Sequence, residues 1–308
     1  MSTVGSYAAK TDTGKKRRRN EDAFVLAPPL FAVADGMGGA QAGEVASKLA
    51  AAALEDTDPG RLTGPERVAS LIQEANRRVH ERSSVDPTTS GMGTTMTVAL
   101  VEEDGVVIGH VGDSRAYLVR NHEIEQLTDD HSLVNELLKT GKLSPEEAET
   151  HPQRSVITRA VGTDPDVDVD SFTIDARDGD VFLICSDGLT DMIGDKEILD
   201  VVDRHRDNLD RLTKQLVTEA NRGGGEDNIT VVAFSIGGTD GVPDVEDTAT
   251  MQAVSPPDDK TREDVRVRMA SAPAAVSPGV DAVRVRVVFV GLIVLALLVS
   301  LLLWGLLH

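Results

Sequence analysis

Four acids in this 308-residue chain stand where apolar runs stop. Asp35 closes "LFAVAD", Asp113 closes "VVIGHVGD", Asp187 closes "VFLICSD", and Asp227 directly precedes "NITVVAF". Glu21 and Asp22 lead into a further apolar run, "AFVLAP", behind the basic stretch "GKKRRR". A single Asp of this kind has an ordinary explanation, because Asp opens turns and caps helices. Four on neighbouring strands would gather like charges that repel unless a cation neutralises them. Oxygen ligands with no cysteine or paired histidine nearby select Mg2+ or Mn2+ over zinc. Neither "HEIEQ" nor "HPQRS" supplies the i, i+4 His pair of a zinc-protease helix. Two divalent ions about 3.5–4 Å apart activate a shared water and stabilise both oxygens of an in-line displacement, which is phosphoester chemistry. The basic stretch can supply the counter-charge, since the Arg fork matches phosphate oxygens. Five consecutive cations exceed what one clamp needs, so a basic surface patch is the alternative reading of that run.

Cys185, the single cysteine, offers a rival nucleophile. A thiol phosphatase needs a C-x5-R loop, yet the sixth residue after Cys185 is Asp191, and the thiol sits within the apolar run "VFLICSD". A buried core thiol is the better reading. One cysteine also excludes an intramolecular disulfide and fits a reducing compartment.

The acids need strands to hold them. "FAVAD", "TTMTVALVE", "GVVIGHVGDS", "RAYLVR", "DVFLICSD" and "NITVVAFSI" are β-branched and apolar, bounded by Gly, Asp or Asn. Helical periodicity covers residues 39–54, 65–82, 131–141 and 208–225. Several strands follow one another across short polar turns such as Glu103-Asp104-Gly105, which points to antiparallel pairing. The expected architecture is α+β, with helices covering the outer faces of antiparallel sheets. Aromatic residues make up only 3%, so the core must come mainly from Val, Ile, Leu and Ala.

Composition divides the chain into three zones: a folded region at 1–237, a linker at 238–283 rich in Gly, Pro, Asp, Thr and Ser, and an apolar terminus at 284–308. From Val287 to Leu307 no residue is charged, and a helix of that length spans roughly 31 Å, close to a bilayer's hydrocarbon thickness. Arg284 and Arg286 precede the run and Trp304 lies near its far end, as expected for a single-pass anchor with the folded region in the cytoplasm. No apolar leader is present at the N-terminus. The net charge of −20 argues against a nucleic-acid surface.

In order along the chain, "TDTGKKRRRNEDAF", "FAVADGMGG", "GTTMTVAL", "HVGDSRAYL", "LTDDHS", "LICSDGLTD" and "GGGEDNITVV" resemble the motif set of the metal-dependent PPM (PP2C-type) serine/threonine phosphatases. The likeness covers roughly residues 5–236. It implies an α-β-β-α sandwich of two antiparallel sheets flanked by helices, with Mn2+ or Mg2+ as cofactor in two core sites and a third, weaker one. It also implies attack by a metal-bridging water on phosphoserine and phosphothreonine in proteins. By motif position, Arg17 matches the Arg of R-x-x-N-x-D and would grip the substrate phosphate, while Asp22 would hold or activate the attacking water. Glu21 would reach the second metal through water, Asp35 would bridge both metals, and Gly36 would offer its carbonyl. Asp187 and Asp227 would complete the first metal's shell. Asp113 in "GDSR" resembles the third-metal acid, with Asp191 as a helper.

The chain departs from many eukaryotic members after the Asp-Gly pair, where Met37 stands in place of a general-acid His; methionine cannot donate that proton. Residues 131–162 correspond to a mobile flap beside the site. The overall plan is similar to bacterial members that oppose membrane-bound serine/threonine kinases, so the expected partners are phosphorylated proteins, those kinases among them, and the expected state is a monomer. A phosphoprotein-binding module that had lost its chemistry would lack a ligand at one motif position, and none is missing.

Overall fold

A computed structural model describes residues 2–38, 42–58, 60–149 and 151–237. The expected linker at 238–283 and terminal span at 284–308 lie outside the described residues. Among the described residues no helix is long and apolar enough to cross a membrane.

The chain opens with β1 (Val4–Asp12), β2 (Asp22–Ala27) and β3 (Leu30–Met37), then α1 (Ala42–Asp56) and α2 (Gly64–Val85). There follow β4 (Gly93–Thr94), β5 (Met96–Glu102), β6 (Gly105–Val111), β7 (Arg115–Arg120) and β8 (Glu123–Gln126). Two short helices come next, α3 (Leu133–Lys139) and α4 (Pro145–Glu149), before β9 (Asp170–Ile174) and β10 (Val181–Cys185). The described chain closes with α5 (Asp187–Thr190), α6 (Asp195–His205), α7 (Leu209–Gly223) and β11 (Ile229–Ile236).

Two sheets result, every pairing antiparallel. One is ordered β1-β11-β10-β7-β8 and the other β2-β3-β5-β6-β9, with β4 pairing to the end of β3. The central strands β5, β6, β10 and β11 read as unbroken apolar runs because both faces are covered. The inner faces of the two sheets meet around Phe31, Val33, Ile108, Phe182, Ile184 and Phe234. Here the few aromatics concentrate: Phe31 and Phe234 stack at 4.3 Å, and Phe182 and Phe234 at 5.1 Å. On one outer face α1 and α2 bury Ala46, Ala50, Val68, Ile72 and Val79. On the other, α6 and α7 bury Ile198, Val202, Leu212 and Leu216. The expected α-β-β-α sandwich is therefore present.

α7 starts on Asn208, whose side chain accepts from the Arg211 N–H at 2.9 Å. The sequence reading contained no α6 and no β1, β8 or β9. α6 is short and strongly charged, with Ile198, Val201 and Val202 buried and Leu199 partly buried against the same core. β1, β8 and β9 lie at sheet edges, where mixed polarity hides the alternation that marks a strand.

Asp35 does not end its strand. β3 continues to Met37, and Gly36 and Met37 pair with Thr94 and Gly93 of β4. Gly36 is required by close approach, because a β-carbon there would strike the carbonyls of Gly43 and Glu21.

Candidate active site

The acids converge at one end of the sandwich, and both sheets contribute. Asp22 and Asp35 sit directly opposite each other in the β2–β3 ladder, a position where like charges destabilise a sheet. Thr94 and Thr95 clamp the Asp35 backbone: its carbonyl accepts from Thr94 Oγ1 at 2.8 Å and from Thr95 N at 2.9 Å, and its N–H donates to Thr95 Oγ1 at 3.0 Å. From the other sheet, Asp187 begins α5 immediately after β10, and Asp227 precedes β11.

Ser186 joins the two sheets. Its hydroxyl donates to Asp22 Oδ2 at 2.9 Å and accepts from Thr230 N at 3.0 Å. Asp22 is 7% exposed, and its other oxygen, Oδ1, is buried with no partner, as is Asp187 Oδ1. Buried carboxylate oxygens left unpaired are costly. Burial pushes Asp22 up to about 6, with nearby Asp227 adding to the rise while Thr230 and Ser186 oppose it. Asp35 lies well above the usual carboxylate range through burial and then through Asp22, Asp187, Asp113 and Asp227. Asp187 is raised well above that range by burial, Asp113, Asp227 and Asp191. Asp113, two residues past β6, rises to about 6 through burial and the charge of Asp130. Asp191 and Glu21 are raised more mildly, burial leading in both.

Mutual repulsion across this many carboxyls is relieved by a cation, and three further observations fit one. Asp22 and Asp187 each present a buried, unpartnered oxygen. The ligand set is oxygen alone, which suits Mn2+ or Mg2+. The Gly36 carbonyl and the Glu21 carboxyl meet at Gly43, where a β-carbon would come within 2.7 Å and 3.0 Å of them. Among the described residues no three His, Cys, Asp or Glu side chains close on one point as a finished cage. The acids instead ring a shared space, as suits ions that keep several waters.

Arg17, exposed on the loop between β1 and β2, donates to Asp227 Oδ2 at 2.5 Å. Burial opposes its charge, but Asp227, Glu21 and Asp35 outweigh burial and raise its pKa. The Arg17 loop is held by Asn228, a residue without a role in the sequence reading. Asn228 Oδ1 accepts from Glu21 N at 2.7 Å, and its Nδ2 donates to Thr13 O at 3.0 Å and Arg19 O at 2.8 Å. Ser186 was likewise missed. Its signal is a hydroxyl directly before Asp187 at the end of a buried strand, and that of Asn228 is an amide directly after Asp227.

Beside Asp113, Asp187 and Asp191 lies a cavity of about 460 Å3, walled on its far side by residues of the 131–162 segment. Arg154 of that segment reaches Asp191 at 3.4 Å. Its base is tied to the Asp113 loop through His131, whose N–H donates to Gly112 O at 2.7 Å while Nδ1 accepts from Gly112 N at 3.0 Å. The remaining ring nitrogen, Nε2, therefore carries the proton and donates to Asp170 Oδ2 at 3.1 Å. Cys185 is buried in β10 and its thiol is pushed up to about 12, so it is a core residue as expected. Met37 ends β3 half-buried beside Gly93.

All the expected site residues thus surround one region. Residues 15–223 match the family model described as Protein phosphatase 2C. The chain is 42% identical over 234 residues to a serine/threonine phosphatase stp of Listeria monocytogenes serotype 4b (strain F2365), covering 72% of this chain and 92% of that protein. The crystal structure of the Mycobacterium tuberculosis serine/threonine phosphatase PstP/Ppp superposes with a TM-score of 0.71 at 39% identity, covering 76% of this chain and 99% of that one. A second structure, of the PstP catalytic domain in complex with two manganese ions, superposes at 0.67 with 37% identity, covering 76% and 98%. With its motifs, its two-sheet sandwich and its ring of carboxylates all in agreement, the chain belongs to the protein phosphatase 2C family.

Proposed function

We propose that this chain is a metal-dependent phosphatase that hydrolyses phosphoserine and phosphothreonine on proteins. The observation that carries this reading is the ring of mutually repelling carboxyls from both sheets, with Arg17 at its rim. Asp35, Gly36, Asp187 and Asp227 would hold the two core Mn2+ or Mg2+ ions, Glu21 would support one through water, and Asp113 with Asp191 would hold a third. When bound, the ions supply an activated water and neutralise charge developing on the phosphoryl group. Asp22, fixed by Ser186 with Oδ1 unpartnered, would be the group placed to take a proton from the attacking water. Arg17 offers its fork to the phosphate from the exposed side. Met37 has no proton to give, so the leaving alkoxide takes its proton from another group.

Phosphate release from a phosphothreonine peptide and from p-nitrophenyl phosphate should require Mn2+ and stop with EDTA. Asp35→Ala removes a term worth several kcal/mol and lowers kcat by a factor on the order of a thousand. Full activity in that variant would sink the assigned role.

The apolar run at 287–307, preceded by Arg284 and Arg286, supports a single-pass membrane anchor with residues 1–237 in the cytoplasm and 238–283 as the tether. Placed there as a monomer, the enzyme would oppose membrane-bound serine/threonine kinases. A chain ending at residue 237 should be soluble and fully active on peptides, while the full chain sediments with membranes after alkaline carbonate washing.

A further inference from the structure

The basic run carries more charge than the site consumes. Arg17 is engaged with Asp227, but Lys15, Lys16 and Arg18 are exposed and form no ion pair among the described residues. They belong to a chain of net charge −20, in which unpartnered cations flanking a site are conspicuous. A solubility tail would let such charges wander. This loop does not.

The loop backbone is fastened along its length. Gly14 adopts a positive φ of 74°, and its N–H donates to Asp12 Oδ1 at 2.9 Å. The Lys15 and Lys16 N–H groups both donate to Gly225 O, at 2.7 Å and 3.2 Å. Asn228 grips the loop at Thr13 and Arg19, and Asn20 Nδ2 donates to Thr11 Oγ1 at 2.7 Å. The backbone is committed to the β11 entry, so the side chains of Lys15, Lys16 and Arg18 project from a fixed base. Fixing a charged loop in advance reduces the ordering cost of binding.

We propose that Lys15, Lys16 and Arg18 form a second anion subsite beside Arg17, which takes a further phosphate or carboxylate carried by the same substrate segment. Resting on the phosphatase reading above, it narrows the substrate class to multiply phosphorylated or acid-flanked phosphopeptides. Arg17 receives the phosphate that is cleaved, and the neighbouring cations receive an anion a few residues away that is not. No bond changes at the second subsite. A lipid headgroup layer is the rival anion, but a membrane seated on this loop would lie across the rim that Arg17 occupies.

The test compares two phosphothreonine peptides that differ only in a second phosphoserine, two to four residues from the scissile group. Each exposed cation pair contributes modestly, so three together should favour the doubly phosphorylated peptide about tenfold in kcat/KM. The preference should collapse in ~0.5 M salt, where exposed charges are screened. The full-length triple variant Lys15→Ala/Lys16→Ala/Arg18→Ala should lose the preference while keeping p-nitrophenyl phosphate turnover, which also reports its folding. A wild type with no preference, or a preference that survives the triple substitution, overturns the subsite. A second arm places the full chain in neutral phosphatidylcholine or anionic phosphatidylglycerol vesicles. Peptide turnover suppressed only on the anionic vesicles, and restored by the triple variant, assigns the loop to lipid and also overturns the proposal. A wild type inactive on every substrate brings down the phosphatase reading and this inference with it.

Discussion

Asp22 and Asp35 face one another across the β2–β3 ladder with Asp187, Asp113 and Asp227 near, and burial plus repulsion raises their carboxyls. A carboxyl raised on folding binds more protons folded than unfolded. Its stabilisation is complete below the unfolded value of about 4 and is lost as pH rises through the folded value, which is about 6 for Asp22 and Asp113. His110, buried and lowered to about 3, and His131, also lowered by burial, act with the opposite sign, favouring the fold above the unfolded value near 6.5. The raised acids of the site outnumber these two histidines. In EDTA the thermal midpoint should therefore fall as pH rises from about 4 through about 6, and saturating Mn2+ should cancel the fall. Asp22→Asn with Asp113→Asn should flatten the EDTA profile, and an unchanged profile would refute the assignment. Asn228→Ala removes three side-chain hydrogen bonds from the Arg17 loop. It should cost about 2–3 kcal/mol in urea unfolding and raise KM for phosphopeptides more than it lowers kcat. The acids were legible because an Asp that interrupts an apolar run is conspicuous in one dimension. Asn228 and Ser186 were not, since what they hold arrives from residues more than 160 positions away.

At the scale of elements, the 131–162 segment has α3 and α4 but is pinned mainly at its root. His131 exchanges bonds with Gly112, and Ser132 bridges to Ile157. His131→Ala should leave sheet stability nearly intact yet speed proteolytic cleavage within the segment, read by fragment mass, and weaken whatever binds at Asp113. Equal cleavage rates would mean that the root is held elsewhere. The long buried strands and helices α2 and α7 could be read directly from periodicity. α6 could not, because its four apolar residues, Ile198, Leu199, Val201 and Val202, crowd the middle of an eleven-residue segment otherwise made of charged residues and His205. β8 could not either, because "EIEQ" at a sheet edge is exposed at three of its four positions. Asp35 as a strand terminus was the misreading of a glycine: Gly36 signals close approach to Gly43, and β3 runs through it.

Across the whole molecule, the two sheets are joined by an apolar layer in which Phe234 stacks on both Phe31 and Phe182. Phe234→Ala should cost about 3–5 kcal/mol in denaturant unfolding. Because the carboxyls come from both sheets, the same variant should also weaken Mn2+ binding measured by calorimetry, although Phe234 touches no ligand. The sequence predicted this two-layer plan from hairpin spacing and apolar runs, but not which strands would be neighbours. The pairing of β1 with β11 joins the first strand of the described chain to its last. Asp227 and Asn228 arrive only with that final strand. A ribosome that has made Asp22, Asp35, Asp113 and Asp187 would still lack the last acid of the proposed site and the clamp on the Arg17 loop. With Asp227 in the role proposed for it, catalysis would wait for the end of synthesis of the folded region, when β11 zips onto β1.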